Sequence, residues 1–448
     1  MRSPEKAIFR KELGDLFSAR STLSLFVLSS FLIGYGFIQA VDLFTEASRA
    51  AIDHKELASG MNPFEGILVP TLGSLYLITT LLFPFVAIHS ISNERQTSTL
   101  KILLQLPVPF SRILLIKWVG VFFCWFLSTV PALLAIGLWL AWGGHVNVGE
   151  YFTLMLGHAL YAFAILGISF LIAAITQSSA SAALLVLAVT LGSWVLDFSV
   201  SSHSGSWVKS LSFLSLTASI RPFERGLVLS ESVIRLLVVG LVTGLSGFLW
   251  LSQPGASAKS RLRKVAAVAM TCLFIGIASS FVPLHADLSE DRRNSFAAEH
   301  ETLLRNIQGK LKIRIALSPD DPRFKDIQRN VLSKLERAVP DVSVSVVTTG
   351  KSSMFGVGAD DAYGLNEFEY QGKIETSRST SPKELLPVIY RLAGMNAPEV
   401  SSTAYSGYPL IANASPFGWL FYLALPLCFL FLWWWHHRIP NFHGGNSK

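Results

Sequence analysis

Apolar runs of about 20 residues, separated by short polar loops, dominate this chain. A helix rises about 1.5 Å per residue, so ~20 residues cross the roughly 30 Å hydrocarbon core of a bilayer. On that rule the pattern predicts eight spans, at about 22–43, 67–91, 114–141, 151–176, 181–198, 233–252, 265–284 and 416–435. Pro84 and Pro131 fall inside the second and third spans and predict kinks there. Lys117 stands one turn inside the third span, from where its stem is expected to snorkel to the near interface. Asp197 closes the fifth span and is expected at the opposite interface.

Ahead of the first span, residues 4–19 predict an amphipathic helix that Ser3 caps and Pro4 starts. Ile8, Phe9, Leu13, Leu16 and Phe17 share one face, with Lys6, Arg10 and Glu12 toward the other. Such a helix is expected to lie in the membrane interface. Residues 199–232 are too polar to cross, yet mix Trp207, Phe213 and Leu216 with Ser and Thr. With Phe223-Glu224-Arg225-Gly226-Leu227 the stretch resembles the short helices that type-2 ABC permeases place between their fifth and sixth spans. Any irregular backbone there must be buried in protein or line water.

The pattern changes over residues 285–414, where charge rises and both signs balance. Leu311–Leu317 alternates as a strand, 323–338 reads as a helix behind a Ser318–Pro322 turn, and Val342–Val347 as the next strand. Residues 363–378 read as a hairpin turning at Gln371-Gly372, and 381–394 as a helix. Together these predict a polytopic α-helical membrane protein with a small extracytoplasmic α/β domain. The boundaries are 1–20 for the interfacial helix and 21–252 for a six-helix bundle. Residues 253–284 make a linker and seventh span, 285–414 the α/β domain, and 415–448 the eighth span and tail.

Composition agrees. Of 448 residues, 51% are hydrophobic and 15% charged, against about 25% charged in a soluble domain. The net charge of +7 does not point to nucleic acid, because the basic residues cluster beside the spans. The N-terminus, loop 92–112, loop 253–264 and the tail are the basic loops, and an even span count places all four on the cytoplasmic side. Cys124, Cys272 and Cys428 each lie in an apolar run and read as buried thiols.

Chemistry-bearing motifs are sparse. Gly350-Lys351-Ser352 ends like a P-loop, but Ser345 stands where the first glycine is required, and Gly255–Ser260 lacks the second glycine. Both read as turn or linker, so no catalytic or cofactor-binding residue is assigned, and the chain is not expected to hydrolyse ATP. His54, Glu56, His300, Glu301, His436, His437 and His443 lack metal-ligand spacing, and no metal is expected. The tail histidines read as interface anchors. Asp320-Asp321 and Asp360-Asp361 lack a calcium loop and read as helix caps or turns.

The loop between spans two and three is the most distinctive stretch. Glu94, Arg95, Thr99, Leu100, Leu103, Leu104, Pro107, Val108, Ser111, Arg112 and Lys117 resemble the first cytoplasmic loop of type-2 ABC transporter (ABC-2) permeases. Ser98 replaces that loop's glycine, and Pro109-Phe110 adds two residues. The whole chain also resembles the gliding-motility ABC permeases. A GldF-like membrane half covers about 5–252, with Phe9-Arg10-Lys11-Glu12-Leu13 and Phe17-Ser18-Ala19-Arg20, and a GldG-like half covers about 265–435. In the latter the supporting residues are Tyr363-Gly364, Glu369–Lys373 and Gly407–Leu410.

The resemblance implies a permease subunit of an ATP-driven exporter-like complex in a bacterial inner membrane. It implies a separate ABC ATPase in two copies that holds ATP and Mg²⁺, paired transmembrane subunits, and an extracytoplasmic protein partner. The coupling residues would be Glu94, Arg95, Thr99, Leu100, Leu103, Leu104, Pro107 and Arg112. Phe9, Arg10, Lys11, Glu12 and Phe17 would form the interfacial helix. The alternative is a transenvelope scaffold that relays ATPase motion without a transported substrate. Both place the two termini inside and 285–414 outside. Single cysteines at 260 and 352, in a background free of native cysteines, test this. External label should reach Ser352→Cys and not Ser260→Cys; the opposite result reverses the orientation.

Overall fold

A computed structural model describes residues 4–96, 108–202, 215–252, 257–279, 284–318, 321–346, 363–398 and 405–438. The chain divides into two compact units. Met1–Val195, Leu214–Ala286 and Ser406–Lys448 form the helical unit; Leu196–Phe213 and Asp287–Tyr405 form the second.

In the helical unit α1 spans Pro4–Ser18 and α2 Arg20–Asp53. A π-helical turn, Phe64–Leu68, leads into α3 (Val69–Leu81), followed by α4 (Phe83–Gln96). Then come α5 (Phe110–Ser128), α6 (Val130–Ala141), α7 (Val148–Ile175) and α8 (Ser179–Ser202), whose residues from Leu196 onward belong to the second unit. α9 is Ser230–Ser252 and α10 Ala258–Ser279, and a closing helix runs over Leu425–Arg438. The breaks between α3 and α4 and between α5 and α6 fall at Leu82 and Thr129, two residues before Pro84 and Pro131. Proline lacks the N–H for the ladder and its ring crowds the carbonyl four residues back, so the kinks follow from the sequence.

Seven described helical segments are long and apolar enough to cross a membrane: 20–53, 64–94, 110–141, 148–175, 179–197, 230–252 and 415–438. The seventh predicted span, 265–284, corresponds to α10, which forms but is not among these segments. Its first turns carry Lys259, Arg261, Arg263 and Lys264. The described apolar part, 265–279, falls short of the ~20 residues a crossing needs. α2 differs in the other direction. Its 34 residues make a rod of about 51 Å, well beyond the predicted 22–43.

The bundle core contains Trp125, Trp139, Tyr161, Phe37, Phe64 and Phe170. α7 and α9 pack in close contact. A Cβ at Gly167 would lie 2.3 Å from the Gly240 carbonyl oxygen, so the two backbones touch there. Small residues at such a seam let helices pack where water supplies no driving force. Between α8 and α9, the predicted short helices appear as Leu216–Ile220 and Phe223–Arg225. Gly226 closes the latter at φ 77°, and Phe223 is buried over Gly157. Cys124 is buried; Cys428, predicted buried, sits on an exposed face of the closing helix.

The closing segment is built into the bundle. Thr45 Oγ1 donates to the Ala412 carbonyl (2.9 Å), Leu410 N donates to Ser48 Oγ (3.1 Å), and Tyr408 N to the Met61 carbonyl (2.9 Å). Ser30 Oγ donates to the Phe421 carbonyl at 2.6 Å, and Phe421 fills the space over Gly34. Thus α2 serves as the post on which the last span is hung.

The second unit has a four-stranded sheet: β1 (Leu311–Ile315), β2 (Val342–Val346), β3 (Asn366–Tyr370) and β4 (Lys373–Ser377). The order is β2-β1-β3-β4, with β1 and β2 parallel and the other pairs antiparallel. Alternation puts Leu311, Ile313 and Ile315 into the core with Phe368 and Tyr370. Lys312–Glu369 (2.8 Å) and Arg314–Glu367 (3.1 Å) pair across the other face. Gln371 (φ 49°) and Gly372 (φ 80°) form the predicted hairpin turn. The crossover from β1 to β2 is helical over 322–338, and Pro382–Ala393 packs Leu385, Leu386 and Ile389 into the same core.

Asp321 caps that crossover, accepting from Arg323 N (2.9 Å), from Arg323 Nη2 (2.8 Å) and from the Tyr363 hydroxyl (2.8 Å). The Arg323 guanidinium, with Tyr363, holds its carboxyl down at about 2. A depressed carboxylate stabilises the fold above its unfolded pKa, and that contribution is lost as pH falls toward the folded value. Asp321→Ala should therefore destabilise this unit by ~1 kcal/mol at neutral pH. Hydrogen exchange over 311–346 in the full chain should quicken at pH 7, with the difference from wild type shrinking as pH falls toward 2.

Candidate functional site

The site lies where α1, α4 and α5 meet, at the base of the loop that the sequence singles out. Glu12 and Leu16 are one helical turn apart on α1, and both are buried. They face Gly120 of α5, where a Cβ would lie 3.2 Å from Leu16 Cδ1 and 3.6 Å from Glu12 Cγ. The absent side chain lets α1 lie close enough for a direct charge contact. Lys117, one turn before Gly120, points the same way, and Ser90 and Glu94 share a face of α4.

Lys117 Nζ contacts Glu12 Oε2 at 2.7 Å and Glu94 Oε1 at 2.8 Å, and donates to the Ser90 carbonyl at 3.3 Å. Ser90 Oγ donates to Glu12 Oε1 at 2.7 Å. An ammonium has three protons, and here three acceptors from two helices surround it. The three charged side chains are 5–8% exposed. Desolvating such charges costs several kcal/mol each, so the cluster stands only because its members compensate one another.

Two further contacts hold α1 beside the loop's exit. Arg112 pairs with Glu5, and Ile8 and Phe110 pack against buried Val108 and Ile113. Lys11 and Asp15 form a solvent-facing pair at 3.1 Å. At the far end, Trp433 Nε1 of the closing helix donates to the Ser18 carbonyl at 3.1 Å, and the Phe17 and Phe26 rings sit 6.3 Å apart.

Two sequence expectations change. Lys117 does not snorkel to an interface; it is 4% exposed and paired. Glu12 does not join the polar face of α1, because a buried cation lies on the other side. Arg10 and Lys11 are exposed, while Phe9 and Phe17 are half-buried. Glu94 is buried against Lys117, and Arg112 is at the surface with Glu5. Thr99, Leu100, Leu103, Leu104 and Pro107 lie outside the described residues, as does the side chain of Arg95. A signal for the cluster existed: a lysine one turn inside a span, with carboxylates in the two flanking segments at similar depth.

Elsewhere, His300 Nδ1 is 2.7 Å from the Tyr390 hydroxyl, and His437 Nδ1 is 2.9 Å from the Trp433 carbonyl. No cluster of His, Cys, Asp and Glu suited to a metal occurs among the described residues. Gly350-Lys351-Ser352, Asp360-Asp361 and His443 lie outside them.

Residues 6–200 match the family model described as ABC-2 family transporter protein. The match covers less than half of the chain and supports an ABC-2 permease. It begins inside α1 and takes in α2 to α8, so Glu12, Ser90, Glu94 and Lys117 all belong to the matched region. No curated protein matches the chain.

Lys117→Met leaves two buried carboxylates facing each other. Removing one partner of a buried pair costs about 3–5 kcal/mol. The thermal midpoint in detergent should fall markedly. Adding Glu12→Gln and Glu94→Gln to Lys117→Met should recover much of it; equal destabilisation by single and triple variants would show that shape, not charge, matters here.

Proposed function

We propose that the chain is the permease subunit of an ATP-driven ABC exporter-like complex, with ATP and Mg²⁺ held by a separate ABC ATPase in two copies. The ABC-2 match over residues 6–200 supports a transporter membrane subunit. The observation that carries the coupling role is the buried Lys117 cluster. It ties α1 to both flanks of loop 97–107, α4 before it and α5 after it. A push on the segment between α4 and α5 would then move three helices together. The partner would press on it, and α1 would shift with α4 and α5. In this reading the basic loops and both termini are cytoplasmic, residues 285–414 are outside, and paired bundles enclose the path. The GldF- and GldG-like halves would be fused in one chain.

The closing helix favours a second reading. It follows the second unit directly in sequence and is hydrogen-bonded to the end of α1. Motion of α1 would then be relayed to an outer partner with no cargo crossing. ATPase stimulation by a cargo favours transport; stimulation by an outer protein alone favours the relay.

Leu100, Leu103 and Leu104, at helical spacing in the sequence, would offer an apolar ridge to a groove in the ATPase. Loss of a buried interface leucine is expected to cost about 1–3 kcal/mol of docking energy. Leu103→Asp with Leu104→Asp should release the ATPase in a pull-down while the membrane subunit stays inserted. Undiminished binding and stimulation would reduce the loop to a membrane anchor.

A further inference from the structure

We propose that the helical unit holds one acyl chain of an anionic phospholipid in a cavity between α1, α2, α5–α6 and the closing helix. The cavity measures about 400 Å³ and is lined by Phe17, Leu23, Phe26, Leu127, Phe429 and Trp433 among others. That size falls in the range of small-molecule pockets, about 300–1,000 Å³. The lining is almost wholly apolar, so water gains few hydrogen-bond partners there. Leu432 and Trp435 also line it, and each remains more than half exposed, 55% and 54%. In a span, exposure means lipid, so the cavity opens toward the medium that can fill it.

The cavity lies at the joint already described. Phe26 and Phe429, both lining it, have ring centroids 5.4 Å apart, and Nε1 of the lining residue Trp433 donates to the Ser18 carbonyl. Charge selects the headgroup. Arg20, exposed, stands at the first turn of α2, between the lining residues Phe17 and Leu23. Arg438 ends the closing helix with its guanidinium 4.2 Å from the Trp434 ring centroid. The closing helix carries His436, His437 and Arg438 in its last turn and no acidic residue. A phosphodiester at the interface would meet cations at the head of an apolar slot, as basic residues at a membrane surface attract anionic lipid.

The test uses the delipidated full chain in detergent and a phosphatidylglycerol carrying a photoreactive group in its acyl chain. Label should concentrate on the peptides containing Phe17–Phe26 and Phe429–Trp435. Leu23→Trp, which fills the cavity, should abolish that enrichment. Arg20→Gln is exposed and spares the packing; it should weaken apparent affinity about fivefold, the equivalent of ~1 kcal/mol per basic residue. Label spread evenly over all the spans, or phosphatidylcholine competing as well as phosphatidylglycerol, would overturn the proposal.

Discussion

One buried cation holds together the helices around the segment between α4 and α5. Lys117 is shared between Glu12 and Glu94, and none of the three carries an appreciable solvent-exposed area. In a low-dielectric setting each charge is tolerable only with its partners in place. The cluster therefore behaves as an all-or-none constraint: α1, α4 and α5 are docked together or the charges are stranded. Apolar packing alone would let α1 slide along the bundle. The directional contacts to Lys117 and Ser90 fix both its depth and its register.

The same helix is fastened at its other end. Ser18 accepts from Trp433, and Phe17 leads through Phe26 to Phe429. The first and last helices of the chain are therefore joined through α2, whose Ser30, Thr45 and Ser48 bond the closing segment along its length. The last span is part of one bundle with the spans before it. Under the proposed coupling, motion of α4 and α5 would have a route through α1 and these contacts to the helix that follows the second unit. Such a route is a physical precondition for coupling.

Much of this architecture is legible in the residues. Alternation at Leu311–Ile315, the Gln371-Gly372 turn and the Asp321 cap are local signals, and each yields the element it predicts. Apolar length predicts the spans, and Pro84 and Pro131 their interruptions. Tertiary partners are not legible in that way. Helical periodicity places Glu12 opposite the greasy face of α1, since it scores a carboxylate as polar wherever it sits. Only the approach of Lys117 across Gly120 makes burial possible. Likewise α10 is apolar over too few described residues, so hydropathy over 265–284 and the helix differ.

The central claim is that α1 and the start of α5 move as one body when the loop is driven. Spin labels at Lys6 of α1 and Leu115 of α5, both exposed, report their separation directly by pulsed electron resonance. In the assembled complex with its ATPase, that distance should stay the same with and without trapped ATP, while the distance from Lys6 to exposed Val148 at the start of α7 changes. A Lys6–Leu115 distance that shifts on ATP trapping, with Lys117 intact, would contradict the account.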